Sequence, residues 1–337
     1  MKRRTFGRSG IKVSEVIFGA GAVGGILFLK DDATKREAIR RALAGGINWF
    51  DTAAQYGNGK SEEALGRLLP DAGATPYLST KFNLDADNLK DVPAQIEERL
   101  MASLARLNRS SVDLLQLHNR IASKAGGRVM TVEQILGRNG VADGLDRLRE
   151  KGLIRHMGIT ALGEAASVCE VIRSGRFDSA QVYYNLLNPS AARNMPAAWT
   201  GQNFGGIIDA CRSHNVAVMA IRGFAAGVLA SDERTGRESI LTSNTSIAED
   251  ERKTKAVFEA IGTGHGSRGQ VALRFVLSNP NVSAAVIGSA ELHHIDEALQ
   301  AAENGPLPPQ VLACLDRLYE SDFTPIPALP PSKGEGR

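Results

Sequence analysis

The sequence predicts an α/β fold, a closed (β/α)8 barrel of the TIM type, on three observations. Short apolar runs rich in β-branched residues alternate with amphipathic segments of helical period from one end of the chain to the other. Eight such pairs follow one another in a chain of 337 residues, with no linker between them. Glycines stand directly after several of the helical stretches, at Gly45-Gly46, Gly152 and Gly175, where a helix ends and the chain turns back toward the sheet.

In chain order, a hairpin is expected first, around Phe6-Gly7-Arg8-Ser9-Gly10-Ile11. The strands then fall at 16–18, 48–50, 77–81, 112–118, 156–160, 180–183, 217–221 and 284–287. Their helices fall at 34–44, 62–69, 93–107, 141–151, 164–174, 207–214, 270–277 and 292–302. Two more helices, near 248–261 and 309–319, lie outside the repeat as C-terminal additions. Most connections are short, but 121–140, 186–205 and 222–246 are long, and long loops in a compact domain carry function. The domain reading is one barrel over 1–322 with a Pro- and Gly-rich tail, 323–337, expected to be disordered.

Composition excludes several classes. Lys plus Arg (40) nearly balances Asp plus Glu (37), so a net charge of +3 gives no electrostatic reason to expect nucleic acid. The odd number of cysteines, Cys169, Cys211 and Cys314, far apart in sequence, fits neither a disulfide framework nor a zinc site and suggests a reducing, cytoplasmic setting. Lys2-Arg3-Arg4 ahead of an apolar stretch superficially resembles a signal peptide. That stretch is glycine-rich, too short to cross a bilayer, and runs into Lys30-Asp31-Asp32 without a small-residue cleavage site, so no membrane partner is expected. No H-E-x-x-H, P-loop or G-x-S-x-G occurs, and no metal is expected. Oligomeric state is not legible.

Gly19-Ala20-Gly21-Ala22-Val23-Gly24 matches G-x-G-x-x-G after a strand, which raises a doubly wound dehydrogenase as an alternative fold. Its context differs. In that fingerprint the third glycine opens a helix, whereas here Ile26 to Asp32 intervenes before the first helical stretch. The glycines read instead as a loop where a ligand or another backbone comes close.

Polar residues gather at the C-terminal ends of the second to fourth strands, the face on which a (β/α)8 barrel assembles its active site. They lie in Asp51-Thr52-Ala53-Ala54-Gln55-Tyr56-Gly57, Ser79-Thr80-Lys81 and Asp113-Leu114-Leu115-Gln116-Leu117-His118-Asn119. With Gly46-Ile47-Asn48-Trp49-Phe50 before the first of them, Asn58-Gly59-Lys60-Ser61-Glu62 after it, and Gln181-Val182-Tyr183-Tyr184-Asn185 further on, the sequence resembles the aldo-keto reductase family over nearly its whole length.

The resemblance implies a tetrad of Asp51, Tyr56, Lys81 and His118 and hydride exchange between a nicotinamide dinucleotide and a small carbonyl or alcohol substrate. These residue types suit that chemistry. A carbonyl taking up hydride gathers negative charge on oxygen, and a tyrosine, which holds its proton at neutral pH, can supply the proton. The Lys81 ammonium would stabilise the phenolate, Asp51 would keep the buried ammonium charged, and His118 would donate to the substrate oxygen. A barrel kept as a silent, cofactor-binding or regulatory subunit is the alternative function.

The same resemblance implies the cofactor contacts. Thr160 and Gln181 map to the nicotinamide carboxamide, and Ile221 stands where the family has a stacking aromatic ring. Arg222 and the loop through Gly227 map beside the pyrophosphate, and Gly288-Ser289 maps to a phosphate at a helix N-terminus. Glu291, His294 and Glu297 would lie along the adenosine. Because 288–297 contains neither Lys nor Arg, NAD(H) is expected to serve at least as well as NADP(H), with Glu291 opposing a 2′-phosphate and a partly protonated His294 recovering some affinity. Trp199 reads either as a pocket wall or as a surface anchor.

Overall fold

The structure is a computed structural model, and it describes residues 1–330 except 22, 235 and 237. The tail from 331 onward lies outside the described residues. Eight parallel strands close in sequence order: β1 (Val16–Gly19), β2 (Trp49–Asp51), β3 (Tyr77–Phe82), β4 (Val112–Leu117), β5 (Ile154–Ala161), β6 (Ser179–Tyr183), β7 (Ala217–Ile221) and β8 (Ala284–Gly288). The ring shuts where Gly288 of β8 pairs with Gly19 of β1. This closed order excludes the doubly wound sheet, which has two edges.

Around the barrel run α1 (Asp32–Ala44), α2 (Lys60–Asp71), α3 (Val92–Leu107), α4 (Val141–Glu150), α5 (Ala165–Arg173), α6 (Ile207–Ser213), α7 (Arg268–Ser278) and α8 (Leu292–Asn304). Their ends follow local chemistry. Asp31 accepts from the Thr34 amide at 2.9 Å to start α1, and Ser267 and Gln270 form a reciprocal capping box at α7. Asn108, in the left-handed conformation, ends α3.

Strand alternation sorts the barrel interior into layers. The lower layer is apolar: Ile17, Trp49, Leu114 and Met219 are fully buried with Phe6 and Val13. Phe6 comes from the N-terminal hairpin, Arg3–Thr5 against Lys12–Ser14, which stops that end of the barrel; its ring centroid lies 4.7 Å from that of Trp49. Arg8 fastens the hairpin, donating to Asp178 at 2.9 Å. Two residues further along the strands the interior turns polar, with Asp51, Lys81, Gln116, Thr160 and Gln181 all buried. The site therefore occupies one end of the barrel and apolar packing the other.

Helices Ile247–Ile261 and Pro309–Glu320 cover the outside, as the sequence anticipates. One correction concerns the tail. Phe323 is fully buried, Ile326 and Leu329 pack against the core, and the Leu329 amide donates to Ala260 at 2.8 Å. Three apolar residues spaced through a Pro-rich stretch hold it down, so the packed chain extends past 322. No helix among the described residues is long and apolar enough to cross a membrane.

Candidate active site

Asp51 ends β2 and Lys81 lies near the end of β3, so the pairing of these neighbouring strands brings the two side chains together inside the barrel. Lys81 Nζ stands 2.5 Å from Asp51 Oδ2, 2.7 Å from the Thr52 carbonyl and 3.4 Å from the Tyr56 hydroxyl. Burial works against this ammonium, but Asp51 and the Tyr56 oxygen outweigh it and hold Lys81 above the ordinary lysine value. Asp51 is itself fixed by Ser79 Oγ at 2.6 Å and Gln116 Nε2 at 3.0 Å, and Trp49 Nε1 donates to Ser79 Oγ at 2.9 Å. The hydrogen bonds thus run from the apolar floor up to the tyrosine.

Tyr56 sits in the loop after β2, half-buried, its ring nearly perpendicular to that of His118: centroids 6.0 Å apart, planes at 85°. Burial, aided by the positive charges of Lys81 and Arg128, pushes His118 down to about 3. The imidazole is neutral across the physiological range, so it can donate a hydrogen bond but holds no spare proton. The four residues of the expected tetrad are therefore together at one mouth.

Several buried polar atoms beside this cluster have no partner among the described residues: His118 Nδ1, Gln116 Oε1 and Gln181 Nε2. An orphaned buried donor or acceptor is costly, and three such atoms around one mouth fit a site that takes a polar ligand. The backbone leaves room as well. Gly227, at a φ of 106°, has open space where a side chain would be, and Gly21 lies beside the Tyr56 ring.

The family model described as "Aldo/keto reductase family" matches residues 15–320. The chain belongs to the aldo/keto reductase family. It is similar to the uncharacterized oxidoreductase YqkF of Bacillus subtilis, 23% identical over 96% of this chain and 98% of that one. It is also similar to a probable voltage-gated potassium channel subunit beta of Oryza sativa, 26% identical over 95% and 97%. In fold it matches the holo form of aldo-keto reductase AKR11C1 from Bacillus halodurans, with a TM-score of 0.72, 24% identity and 95% and 96% of the two chains covered. Family and fold together support an oxidoreductase, and members of the family bind NAD(P)H.

In this aldo/keto reductase the expected cofactor residues fall along β5 to β8 on the same face. Thr160 is buried at the end of β5 and donates to the Leu117 carbonyl at 3.2 Å. Gln181, on the adjoining β6, pairs with it in register and has the orphaned Nε2. Ile221 ends β7 half-buried. Arg222 follows with a left-handed φ of 61°, its guanidinium on the Ser239 carbonyl at 2.7 Å and Ser239 Oγ at 3.0 Å. Burial pushes Arg222 down. Ser289 is buried behind Gly288, and Glu297 faces the start of α7 near Gly269.

Two of the residues expected along an adenosine have surroundings that differ from the expectation. His294 Nδ1 accepts from the Ala290 and Glu291 amides at 3.2 and 3.3 Å, and burial holds the ring below the ordinary histidine value. Protonating that nitrogen would break both bonds, so His294 is a neutral cap. Glu291 is not alone either: Lys30, from the loop after β1, forms an ion pair with it.

Other residues gain roles that sequence reasoning missed. Ser79 and Gln116 fall in the quoted motifs, and their period-two placement on the inward face was the available signal. Phe28 covers Gly57, the residue after Tyr56, where a Cβ would lie 2.7 Å from its ring. Trp199 is an anchor, not a pocket wall: its ring packs toward Phe323 at 6.0 Å, with Lys253 Nζ 5.1 Å from its centroid. Gly24 lets the first loop close on β8, since a Cβ there would come within 2.5 Å of the Ser289 carbonyl oxygen.

Proposed function

We propose that this chain is an NAD(P)-dependent reductase or dehydrogenase acting on an aldehyde, ketone or sugar and the matching alcohol, with Tyr56 as the general acid and base. The observation that carries the reading is the line from the buried Asp51 and Lys81 to the half-buried Tyr56 at the C-terminal mouth of the barrel, with Lys81 Nζ 2.5 Å from the Asp51 carboxylate and 3.4 Å from the Tyr56 hydroxyl. Thr160 and Gln181 would hold the carboxamide, Ile221 would pack on the ring, Arg222 and the loop at Gly227 would lie by the diphosphate, Gly288 and Ser289 would meet a phosphate, and Glu291 and Glu297 would lie along the adenosine. The dinucleotide supplies or removes the hydride.

The protein's own groups handle the proton and the charge. Tyr56 OH hands its proton to the carbonyl oxygen, and the phenolate left behind faces the Lys81 ammonium. Asp51 keeps that ammonium charged where burial would neutralise it. A neutral His118 donates to the same oxygen, stabilising charge as it develops and aiming the carbonyl. In the reverse direction the phenolate takes the alcohol proton.

A regulatory subunit is the second reading, motivated by the relative described as a potassium channel subunit. One experiment separates the two. In an aldehyde and sugar panel followed at the nicotinamide absorbance, the wild type turns over, Tyr56→Phe loses about 10² to 10⁴ in kcat, and its dinucleotide Kd stays within about twofold. Tight dinucleotide binding without turnover on any substrate would favour the regulatory reading. In the same panel, NAD(H) is expected to serve at least comparably to NADP(H).

A further inference from the structure

We propose that Lys30 sets how well this protein tolerates a phosphate on the adenosine ribose, acting as one unit with Glu291. The loop after β1 is bound at several points to the segment that leads from β8 into α8. Gly19 pairs with Gly288, Gly24 lies against the Ser289 backbone, and the Ile26 amide donates to the Ser289 carbonyl at 3.3 Å. The short helix Ile26–Leu29 then ends at Lys30, whose ammonium reaches the Glu291 carboxylate. A cation absent from 288–297 is thereby delivered to it from 261 positions away.

The junction after the last strands is where (β/α)8 barrels characteristically take a phosphate, at the N-terminus of a helix. Other groups there are engaged. His294 is a neutral cap, and Arg41, on the facing helix, is tied to Glu37 and Asp296. Lys30, by contrast, pairs with Glu291 alone among the described residues, and the two side chains keep 35% and 48% of their surface exposed. An exposed pair of this kind contributes little to folding, so its partners can exchange without cost to the fold. A free ribose hydroxyl can donate to Glu291 with the pair intact. A 2′-phosphate meets the carboxylate's repulsion and is accommodated when Lys30 turns from the carboxylate to the phosphate oxygens.

This inference rests on the reading of the mouth as a dinucleotide site, and the test separates the two. Titration calorimetry gives Kd for NADH, NADPH, 5′-AMP and 2′,5′-ADP with the full chain and with Lys30→Ala, Glu291→Gln and the double variant. We expect Lys30→Ala to weaken NADPH and 2′,5′-ADP about tenfold while NADH and 5′-AMP change less than about twofold. Glu291→Gln strengthens NADPH severalfold, and the double variant returns to within about threefold of the wild type, since the repelling and compensating charges are both gone. Equal weakening of NADPH and NADH by Lys30→Ala, or no weakening of either, overturns the proposal while leaving the site reading intact. A wild type that binds neither dinucleotide overturns the site reading, and the proposal falls with it.

Discussion

Lys81 shows how much a single side chain depends on its surroundings. Fully buried, it would shed its proton but for Asp51 at 2.5 Å, and its ammonium is also 5.0 Å from the centre of the Tyr56 ring. Replacing it with methionine removes the cation beside the phenolate and leaves Asp51 buried without its ion pair. Lys81→Met should lose at least about 10² in kcat, and the pH at which alcohol oxidation reaches half its maximum should move up. Circular dichroism at each pH separates loss of the fold from loss of chemistry; a folded variant with an unchanged pH profile means that Lys81 does not act on Tyr56. Asp51, Tyr56, Lys81 and His118 could be singled out in the sequence because the motifs that hold them resemble those of the aldo-keto reductase family and stand at strand ends. The roles of Ser79 and Gln116 were not legible there, because they depend on which strand residues stand side by side, as Lys81 and Gln116 do. Nor could sequence link Lys30 to Glu291, a contact made only by barrel closure.

At the scale of elements, the strands and the repeat helices follow their sequence signals to within a few residues, and the departures have physical causes. The helix Ile26–Leu29 is a single turn, too short to express a period. Helix α7 starts at Arg268 because Ser267 caps it, ahead of the apolar run that first suggests a helix. Packing between elements is less visible still. Gly66, in the middle of α2, has no left-handed backbone to justify it, and alanine would be the better helix former by about 1 kcal/mol. Yet a Cβ there would lie 2.4 Å from the Arg106 carbonyl oxygen and 2.6 Å from the Leu107 carbonyl carbon, both backbone atoms at the end of α3. Across this contact Arg106 also donates to the fully buried Glu62 at 2.7 Å. Gly66→Ala should therefore destabilise the protein by roughly 1–3 kcal/mol in urea unfolding, the reverse of the propensity effect. A gain in stability would mean that the two helices part more easily than their backbone contact implies.

For the molecule as a whole, closing eight strands fixes where each end of the barrel puts its charge, and this makes stability depend on pH with a definite sign. His118 at the mouth is held at about 3, against an ordinary value of 6.5, by burial and by the cations of Lys81 and Arg128. Between those values the unfolded chain binds a proton that the folded chain refuses, so stability from this group is full above about 6.5 and is lost as pH falls toward 3. At the opposite end Asp178 is held at about 2 against 3.8: burial would raise it, but hydrogen bonds from His156, the Met157 amide and Arg8 prevail. Its contribution is full above about 4 and disappears as pH falls through 2, so acid acts on the two ends in sequence. His294, also held low, adds to the first stage. The urea midpoint should consequently fall between pH 7 and pH 4.5, before the carboxylates between strands begin to protonate. His118→Gln, which keeps a hydrogen-bonding side chain but cannot titrate, should reduce that fall by about half or more, with little effect on the further loss below pH 4. A wild-type midpoint that stays flat down to pH 4.5, or an undiminished fall in His118→Gln, would show that the imidazole at the mouth takes up its proton in the folded state as readily as in the unfolded chain.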